Sequence, residues 1–361
     1  MVKKKKEYWF ILGILIFLVY ILLAARPIPK ETILVSRWLS SLESSFPVSL
    51  GKNDTDSSLI IPFQLGNRFG YLGDDGRFLV NRIQKEGYLS FSDEYWSEYD
   101  TLPSSVEVFD PENHLLLTIE DPPGYPLFLD KRLFLIGPEQ NSISALNRSG
   151  DIIWTFDFPA PLTCIDAAAG YVAAGTLDGS VELLNSSGRQ VFPSFEPGGS
   201  RLSVILGCAI SRDGTRLALI SGIDDQRFLL LEQSGESYRI VYHEFLSEGF
   251  RRAVHIRFID NDNRVAYERE GGIGIYDISS RSSVFLPLEG EITTLDEGDD
   301  KYLFIISSQG EKRKKLVGIR LPGEIIMEAP FRSETAFLSR RNSRIYLGGD
   351  TSLASFELGK K

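Results

Sequence analysis

The sequence predicts an all-β fold made of short strands that repeat as four-stranded antiparallel units. Residues 125–158 hold four runs rich in leucine, aromatic and β-branched residues, and turn formers such as Gly137 and Pro138 separate them. A version of the first two runs recurs along the chain. A content of 32 Gly, 23 Phe and 14 Tyr also suits many strands joined by tight turns.

The recurring pattern is a hairpin signal: an apolar residue, about five turn-like residues, a basic residue or tyrosine, and a short strand. Neighbouring copies lie 37 to 48 residues apart, which is the size of a propeller blade. We therefore expect a seven-bladed β-propeller, with six or eight blades as alternatives. The last unit shows only three clear strands, so residues 60–83 are expected to complete it and close the ring. The seven hairpins are marked by Leu89, Leu127, Ile165, Ile210, Phe258, Leu295 and Leu338.

The N-terminus predicts a membrane anchor. Residues 1–7 form a basic tail, and residues 8–25 carry no charge. A helix of that length spans roughly 27 Å, close to the thickness of a bilayer core. We expect a single-pass anchor in a bacterial inner membrane, with residues 1–7 in the cytoplasm and the propeller in the periplasm or another extracytoplasmic space. A cleaved signal peptide is the alternative.

Residues 26–58 are predicted to be a linker that contains a short amphipathic helix. Leu34, Trp38, Leu42 and Phe46 recur at helical spacing, which places that helix at residues 31–46. Residues 51–58 are polar and resemble a flexible connection. Residues 59–361 then form the propeller.

Charge and cysteine content limit the partners and the covalent chemistry. The net charge is −10 although the first thirty residues are basic, and so acidic a body argues against a nucleic-acid partner. The two cysteines, Cys164 and Cys208, are too few for a disulfide scaffold. Both are placed on first strands of neighbouring units, one residue out of register. We expect them to face opposite sides of their strands, as two separate buried thiols.

Known catalytic and metal-binding motifs are missing from the sequence. None of the three histidines lies at metal-ligand spacing, and there is neither a P-loop nor a nucleophile elbow. The acidic stretches at residues 260–263 and 296–300 lack the glycine and distal glutamate of an EF-hand, and they align with the hairpin turns. We therefore predict no catalytic residue, no cofactor and no metal, and we do not expect an enzyme.

One turn motif resembles a known family. In residues 144–154, Ala145, Asn147, Gly150 and Trp154 are similar to the turn of quinoprotein-like propellers, the group that includes the BamB-type outer-membrane assembly lipoprotein. The Arg-Asp-Gly hairpin at residues 212–214 is similar to that of WD40-like bacterial propellers. The resemblance covers residues 60–358 and implies the fold rather than a function. The adjacent cysteine pair of many quinone-dependent members and the cysteine of a lipoprotein are both missing.

The loops predict where a partner would bind. In a propeller, the connections between blades and the turns between second and third strands share one face, and binding residues are common on such loops. We predict a membrane-tethered scaffold that binds an envelope protein or peptide through this rim. The alternative is a small-ligand sensor or a quinoprotein-like enzyme that uses the central channel. The predicted rim residues are Gly198, Gly199, Arg201, Asp224, Asp225, Gln226, Arg251 and Arg252.

Overall fold

The computed structural model describes residues 12–20, 32–43, 48–49, 59–84, 86–101, 103–235, 237–246, 249–297 and 301–360. Their strands form eight antiparallel sheets, and within seven of these sheets the strands pair in sequence order. Consecutive sheets pack face to face through their innermost strands, which makes them the blades of a β-propeller. The propeller fold is therefore confirmed, but the expected count of seven blades is wrong, because the structure has eight.

The eight blades follow the chain order. Blade 1 is Ile60–Leu65, Arg68–Gly73 and Phe78–Ile83; blade 2 is Tyr88–Phe91, Trp96–Tyr99, Ser105–Phe109 and Leu115–Glu120; blade 3 is Tyr125–Leu129, Arg132–Ile136, Ser142–Leu146 and Ile152–Asp157; blade 4 is Leu162–Ala168, Tyr171–Thr176 and Val181–Leu184. Blade 5 is Ile205–Ile210, Arg216–Ser221, Arg227–Ser234 and Ser237–Phe245; blade 6 is Ile256–Ile259, Arg264–Arg269, Gly272–Asp277 and Ser282–Pro287; blade 7 is Glu291–Glu297, Tyr302–Ser308, Arg313–Arg320 and Glu324–Arg332; blade 8 is Ala336–Arg341, Arg344–Gly349, Ser352–Lys360, Thr32–Ser41 and Val48–Ser49.

Blade 8 closes the ring by pairing strands from the two ends of the described chain. Thr32–Ser41 lies antiparallel to Ser352–Lys360 along almost its whole length. The prediction of an amphipathic helix at residues 31–46 is therefore wrong for residues 32–41, and residues 31 and 44–46 lie outside the described part of the chain. A bulge between Ser36 and Trp38 turns the flanking side chains to opposite faces, so Leu34 packs towards blade 7 and Trp38 towards blade 1. Burial on both faces of a bulged strand produced the four-residue spacing that suggested a helix.

Blade 1 explains the wrong blade count. All seven hairpin markers lie in the first strands of blades 2 to 8. The sequence predicted that residues 60–83 complete the last blade. They form a sheet of their own instead. Within the described residues that sheet has no first strand and therefore no marker, so a search for first hairpins finds only seven units.

The turns of blade 1 identify its three strands as a second, third and fourth strand. The turn after Ile60–Leu65 lies beside the start of blade 8, where a Cβ on Gly66 would be 3.2 Å from Thr335. The next turn lies at the opposite end, where Asp74 pairs with Arg344. In the complete blades, second-to-third turns lie beside the connections between blades, and third-to-fourth turns lie at the other end. We call these the upper and the lower end of the propeller.

The core lies between successive blades. Each second and third strand is sandwiched between two neighbouring sheets, so Arg216–Ser221 and Gly272–Asp277 bury almost every residue. The fourth strands form the outer surface and are largely exposed, as in Ser237–Phe245. Because both faces of each sheet are covered, the ring is a rigid support for the loops at its two ends.

The N-terminal segment differs from its prediction. Residues 12–20, inside the predicted anchor at 8–25, form a helix, and the rest of the predicted anchor lies outside the described residues. No helix in the described part of the chain is long and apolar enough to cross a membrane. This finding contradicts both the predicted single-pass anchor and the predicted placement in a bacterial inner membrane. The basic tail at residues 1–7 and the linker at residues 51–58 lie outside the described residues.

Candidate functional site

The predicted rim residues all lie at the upper end of blades 4 to 6. Gly198, Gly199 and Arg201 belong to the connection that leads into blade 5, and Arg251 and Arg252 belong to the connection that leads into blade 6. The second-to-third turn of blade 5 supplies Asp224, Asp225 and Gln226 between them. The structure thus brings the three loops to one end of the ring, as their place in the repeats predicts.

The glycine-containing loop is held against blade 5 by an arginine that the sequence did not single out. Arg227 donates hydrogen bonds to the carbonyl oxygens of Pro197, at 2.9 Å, and Gly198. A Cβ on Gly199 would lie 2.4 Å from Cζ of Arg227, and Gly199 has φ +82°. Glycine is therefore favoured here by the backbone conformation, and any larger residue would also displace the guanidinium of Arg227. Arg201 faces solvent with a loose ion pair to Asp224, 3.9 Å from Nε to Oδ2, which contributes little energy.

Gln226 is a structural tie between two of the loops. Its side chain is fully buried. Its Nε2 donates to the carbonyl oxygens of Gly222, at 3.1 Å, and Phe250, at 3.3 Å. Its Oε1 accepts the backbone N–H of Phe250 at 3.3 Å. The amide thereby fixes the connection into blade 6, whereas the neighbouring Asp225 stays exposed.

Arg252 forms the most strongly bonded contact on the rim. It donates to both carboxylate oxygens of Glu268, at 2.6 and 3.1 Å, and its Nε lies 3.2 Å from the carboxylate of Glu291. Its guanidinium also stacks 4.4 Å from the ring centre of Phe250. The hydrogen bond to Glu268 is the main cause that raises the pKa of Arg252. Arg252 therefore joins the blade 5 to 6 connection, blade 6 and blade 7, and Arg251 beside it is exposed.

A cavity of about 530 Å³ opens beside Arg252 at the upper end of blades 6 and 7. Leu288 and Ile292 are almost fully buried and give it an apolar floor. Its walls carry carboxylates and guanidiniums, and Gly271, Gly272 and Gly290 expose backbone at its edge. The full lining is Phe250, Arg252, Glu268, Arg269, Glu270, Gly271, Gly272, Leu288, Gly290, Glu291 and Ile292.

Sequence reasoning found one side of this cavity and missed the other. Arg252 was predicted on the rim, but Glu268, Glu291 and the apolar floor were not. Glu268 is only 2% exposed and follows the buried apolar residues 265–267 near the end of strand Arg264–Arg269. A carboxylate at the buried end of such a strand was the available signal, because an unpaired charge there is costly.

The cavity offers apolar and charged groups that can contact a bound molecule. Glu268 is already held by Arg252 and by the backbone N–H of His255 at 3.2 Å. What remains available is an apolar floor, the exposed Glu270 and Glu291, and open backbone.

A second cavity, of about 420 Å³, lies in the central channel towards the lower end. Its carboxylates bond across blade boundaries: Asp166 accepts the N–H of Ile210 at 2.8 Å, and Glu297 accepts the N–H of Asp260 at 2.6 Å. Burial is the main cause that raises the pKa of Asp166 and of Glu297. Arg257, 3.1 Å from Asp296, completes this set of bonds between first strands. These groups hold the ring together at the place where the predicted small-ligand alternative would act.

The acidic stretch at residues 260–263 forms a turn. Residues 260–263 make the first hairpin turn of blade 6, in which the N–H of Asn263 donates to the carbonyl of Asp260 at 3.1 Å. Residues 298–300 lie outside the described part. Among the described residues, one further group could meet a cation: Asp110, Glu112 and His114. There Asp110 already accepts two backbone N–H groups and pairs with His114 at 3.0 Å, as in an ordinary Asx-turn.

Comparison with known proteins assigns the chain to a family. A family model for β-propeller proteins matches residues 1–360. The chain belongs to the β-propeller protein family. An uncharacterised protein of Treponema pallidum (strain Nichols) is similar to this propeller, 26% identical over 363 residues, covering 99% of this chain and 95% of that protein.

Solved structures agree with the fold. BamB from Moraxella catarrhalis superposes on the propeller with a TM-score of 0.59 and 14% identity, covering 90% of this chain and 100% of that one. Apo AztD from Citrobacter koseri superposes with a TM-score of 0.55 and 15% identity, covering 80% of this chain and 88% of that one. The resemblance to BamB-type propellers is confirmed, and at these identities the likeness shows the fold alone.

Proposed function

We propose that this propeller is a non-enzymatic scaffold that binds a protein or peptide partner at the cavity between blades 6 and 7. The observation that carries the proposal is the combination of an apolar floor, exposed glycine backbone and carboxylates in one cavity of about 530 Å³. That volume accommodates one or two side chains of a bound segment. The fold and the predicted rim are consistent with such a role.

The cavity is held in shape before a partner arrives. Arg252 bonds to Glu268 in blade 6 and to Glu291 in blade 7, and Gln226 fixes the loop that carries Phe250. Less conformational entropy is lost when a partner binds a surface that is already ordered. The ion pairs therefore support binding indirectly, by keeping the apolar floor open.

The charge of the cavity indicates the chemistry of the partner. Its lining has three glutamates and two arginines, and Arg252 is fully engaged with two of the glutamates. Arg269 is 3.4 Å from Glu244 and stacks 4.6 Å from the ring centre of Phe285, both outside the lining. The remaining surface is acidic at Glu270, so we propose a segment with an apolar side chain beside a lysine or arginine.

Site-specific crosslinking tests this proposal. A photoreactive amino acid placed at Arg251, an exposed residue between Phe250 and Arg252 of the cavity lining, should give a discrete adduct in the cells that make the protein, and the same probe at Arg148 should not. Arg148 is also an exposed loop residue, but it lies in the third-to-fourth turn of blade 3 at the lower end.

The captured partner is then measured against purified variants. Glu270→Lys should weaken binding about tenfold or more, because it reverses the charge that meets the basic residue of the partner. Arg251→Glu, which makes the same rim more acidic, should not weaken binding, and Arg148→Glu should leave it unchanged, since a surface charge change acts mainly on its own neighbourhood. Equal adducts from both crosslinking positions, or equal affinities for all three variants, would show that the upper cavity is not the binding site.

A further inference from the structure

The two cysteines lie on adjacent first strands, Leu162–Ala168 of blade 4 and Ile205–Ile210 of blade 5. Both are free, Cys208 is buried and Cys164 is half-buried. They belong to the same apolar cluster between these blades. The sequence predicted two separate buried thiols. Both are free thiols, but Cys164 is only half-buried and its sulfur is hydrogen-bonded to Cys208.

The reason follows from how blades stack. Residues at equivalent positions of two successive sheets point the same way around the ring and never face each other. Residues of opposite parity can meet across the interface, because one points forward and the other back. The one-residue offset between Cys164 and Cys208, which suggested separation, is the arrangement that brings them together.

Gly175 shows how closely the two sulfurs approach. It is the pairing partner of Cys164 on the second strand of blade 4. A Cβ on Gly175 would lie 2.7 Å from Sγ of Cys164 and 2.4 Å from Cγ2 of Ile205 in blade 5. The Gly175 backbone also hydrogen-bonds Cys208, whose Sγ lies 3.6 Å from the carbonyl oxygen of Ala173. Both thiols thus lie in the space that a side chain at Gly175 would fill.

We propose that Cys164 and Cys208 form an intramolecular disulfide that links the first strands of blades 4 and 5 when the protein meets a disulfide-bearing oxidant. The half-buried Cys164 is the sulfur that the oxidant reaches first. Its thiolate attacks the oxidant disulfide, giving a mixed disulfide and releasing one thiol of the oxidant. The Cys208 thiolate then attacks Sγ of Cys164 and releases the second thiol. Two cysteine thiols are oxidised and one oxidant disulfide is reduced to two thiols.

The environment of Cys208 sets the speed of the second step. The hydrogen bond that the Cys208 thiol donates to the sulfur of Cys164 is the main cause that raises the pKa of Cys208, and burial raises it further. Because the thiolate is the attacking species, closure should be slow at neutral pH and should accelerate by about tenfold per pH unit while the pH stays below that pKa. Loss of the Cys164 thiol in the mixed disulfide removes the larger of the two causes.

The experiment exposes the reduced full-length protein to glutathione disulfide, both folded and during refolding from denaturant, and then unfolds and alkylates it. We expect intact-mass spectrometry to show no alkylated cysteine and no glutathione adduct, and peptide mapping to show Cys164 joined to Cys208 within one chain. Cys164→Ser and Cys208→Ser are the controls. Each should keep one alkylated thiol or one glutathione adduct and show no internal crosslink.

Three results would overturn the inference. The first is two alkylated thiols after both treatments. The second is a stable glutathione adduct on Cys164 with Cys208 still alkylated. The third is a disulfide between chains, seen as a dimer on a non-reducing gel, in place of the internal crosslink.

Discussion

Removing the carboxylate of Asp74 should weaken the contact between blades 1 and 8. Asp74 is 4% exposed and lies in the lower turn of blade 1. Its two carboxylate oxygens meet the guanidinium of Arg344 and the hydroxyl of Tyr346, both on the second strand of blade 8. Its backbone carbonyl also accepts the indole N–H of Trp38 at 2.7 Å. Asp74→Ala keeps this last bond and removes the other two.

The magnitude follows from the burial of the pair. Removing one partner of a buried ion pair costs about 3–5 kcal/mol. Arg344 retains Glu357 at 3.4 Å from Nε, so the lower part of that range applies. The freed Tyr346 hydroxyl adds about 1 kcal/mol. We therefore expect a loss of about 4 kcal/mol, which for roughly 300 folded residues lowers Tm by about 6 °C.

The assay is thermal unfolding of the purified variant followed by circular dichroism, with Asp75→Ala as the control. Asp75 lies in the same turn, but its ion pair is to Arg77, a side chain that is 75% exposed. That pair should be worth less than about 1 kcal/mol, so Tm should fall by less than about 2 °C. Equal shifts for the two variants would refute the reasoning that Asp74 holds the two blades together.

Three other changes test separate parts of the structure. Trp38→Ala, in the strand that closes blade 8, should lower the free energy of unfolding in a urea titration by about 3–5 kcal/mol. Leu39, beside it, is 45% exposed, so Leu39→Ala should lower it by less than about 0.5 kcal/mol. Similar losses for the two variants would contradict the packing of this strand in blade 8. Gly175→Ala should cost about 1–3 kcal/mol by the same titration, because its Cβ would lie 2.4 Å from Cγ2 of Ile205, and an unchanged midpoint would argue against this close packing. The hydroxyl of Ser279, a backbone N–H and Arg264 together lower the pKa of Asp277 from 3.8 to about 2. The stability that the Asp277 carboxylate contributes is therefore full above pH 3.8 and is lost as the pH falls through about 2. In Asp277→Asn, the free energy of unfolding should therefore fall less steeply with decreasing pH in this range. An unchanged slope would show that another group controls it.

The repeat was predictable because it is local. The first hairpin of a blade needs an apolar strand, a turn and a second strand within about ten residues, and all seven markers lie in first strands. Blade 1 could not be counted this way, since its described strands begin with the second strand of a blade. The closing strand Thr32–Ser41 could not be found either, because its partner Ser352–Lys360 lies at the other end of the chain. A bulged strand buried on both faces also has no period of two from which to recognise it.

The positions of the rim loops were predictable from the sequence, but the contacts of their side chains were not. These loops were located correctly because strand alternation fixes the end of the ring at which each connection lies. Their chemistry was not, because it depends on partners outside the loops. Gln226 was expected to face a ligand but is buried, and Arg252 is engaged by Glu268 and Glu291. Bonds between residues on different blades leave no pattern in a single sequence.

The closure of blade 8 has a consequence for synthesis of the protein. Arg37 and Glu357 form an ion pair across this closure although 320 positions separate them. At about 5–20 residues per second, a ribosome needs roughly 15–60 s to reach the second partner after making the first. Blades 1 to 7 can fold as they emerge, but Trp38 and Leu42 lack their contacts with blade 8 throughout that interval. The apolar surface of strand Thr32–Ser41 that faces blade 8 therefore stays uncovered until the end of synthesis, and a chaperone could protect it during that time.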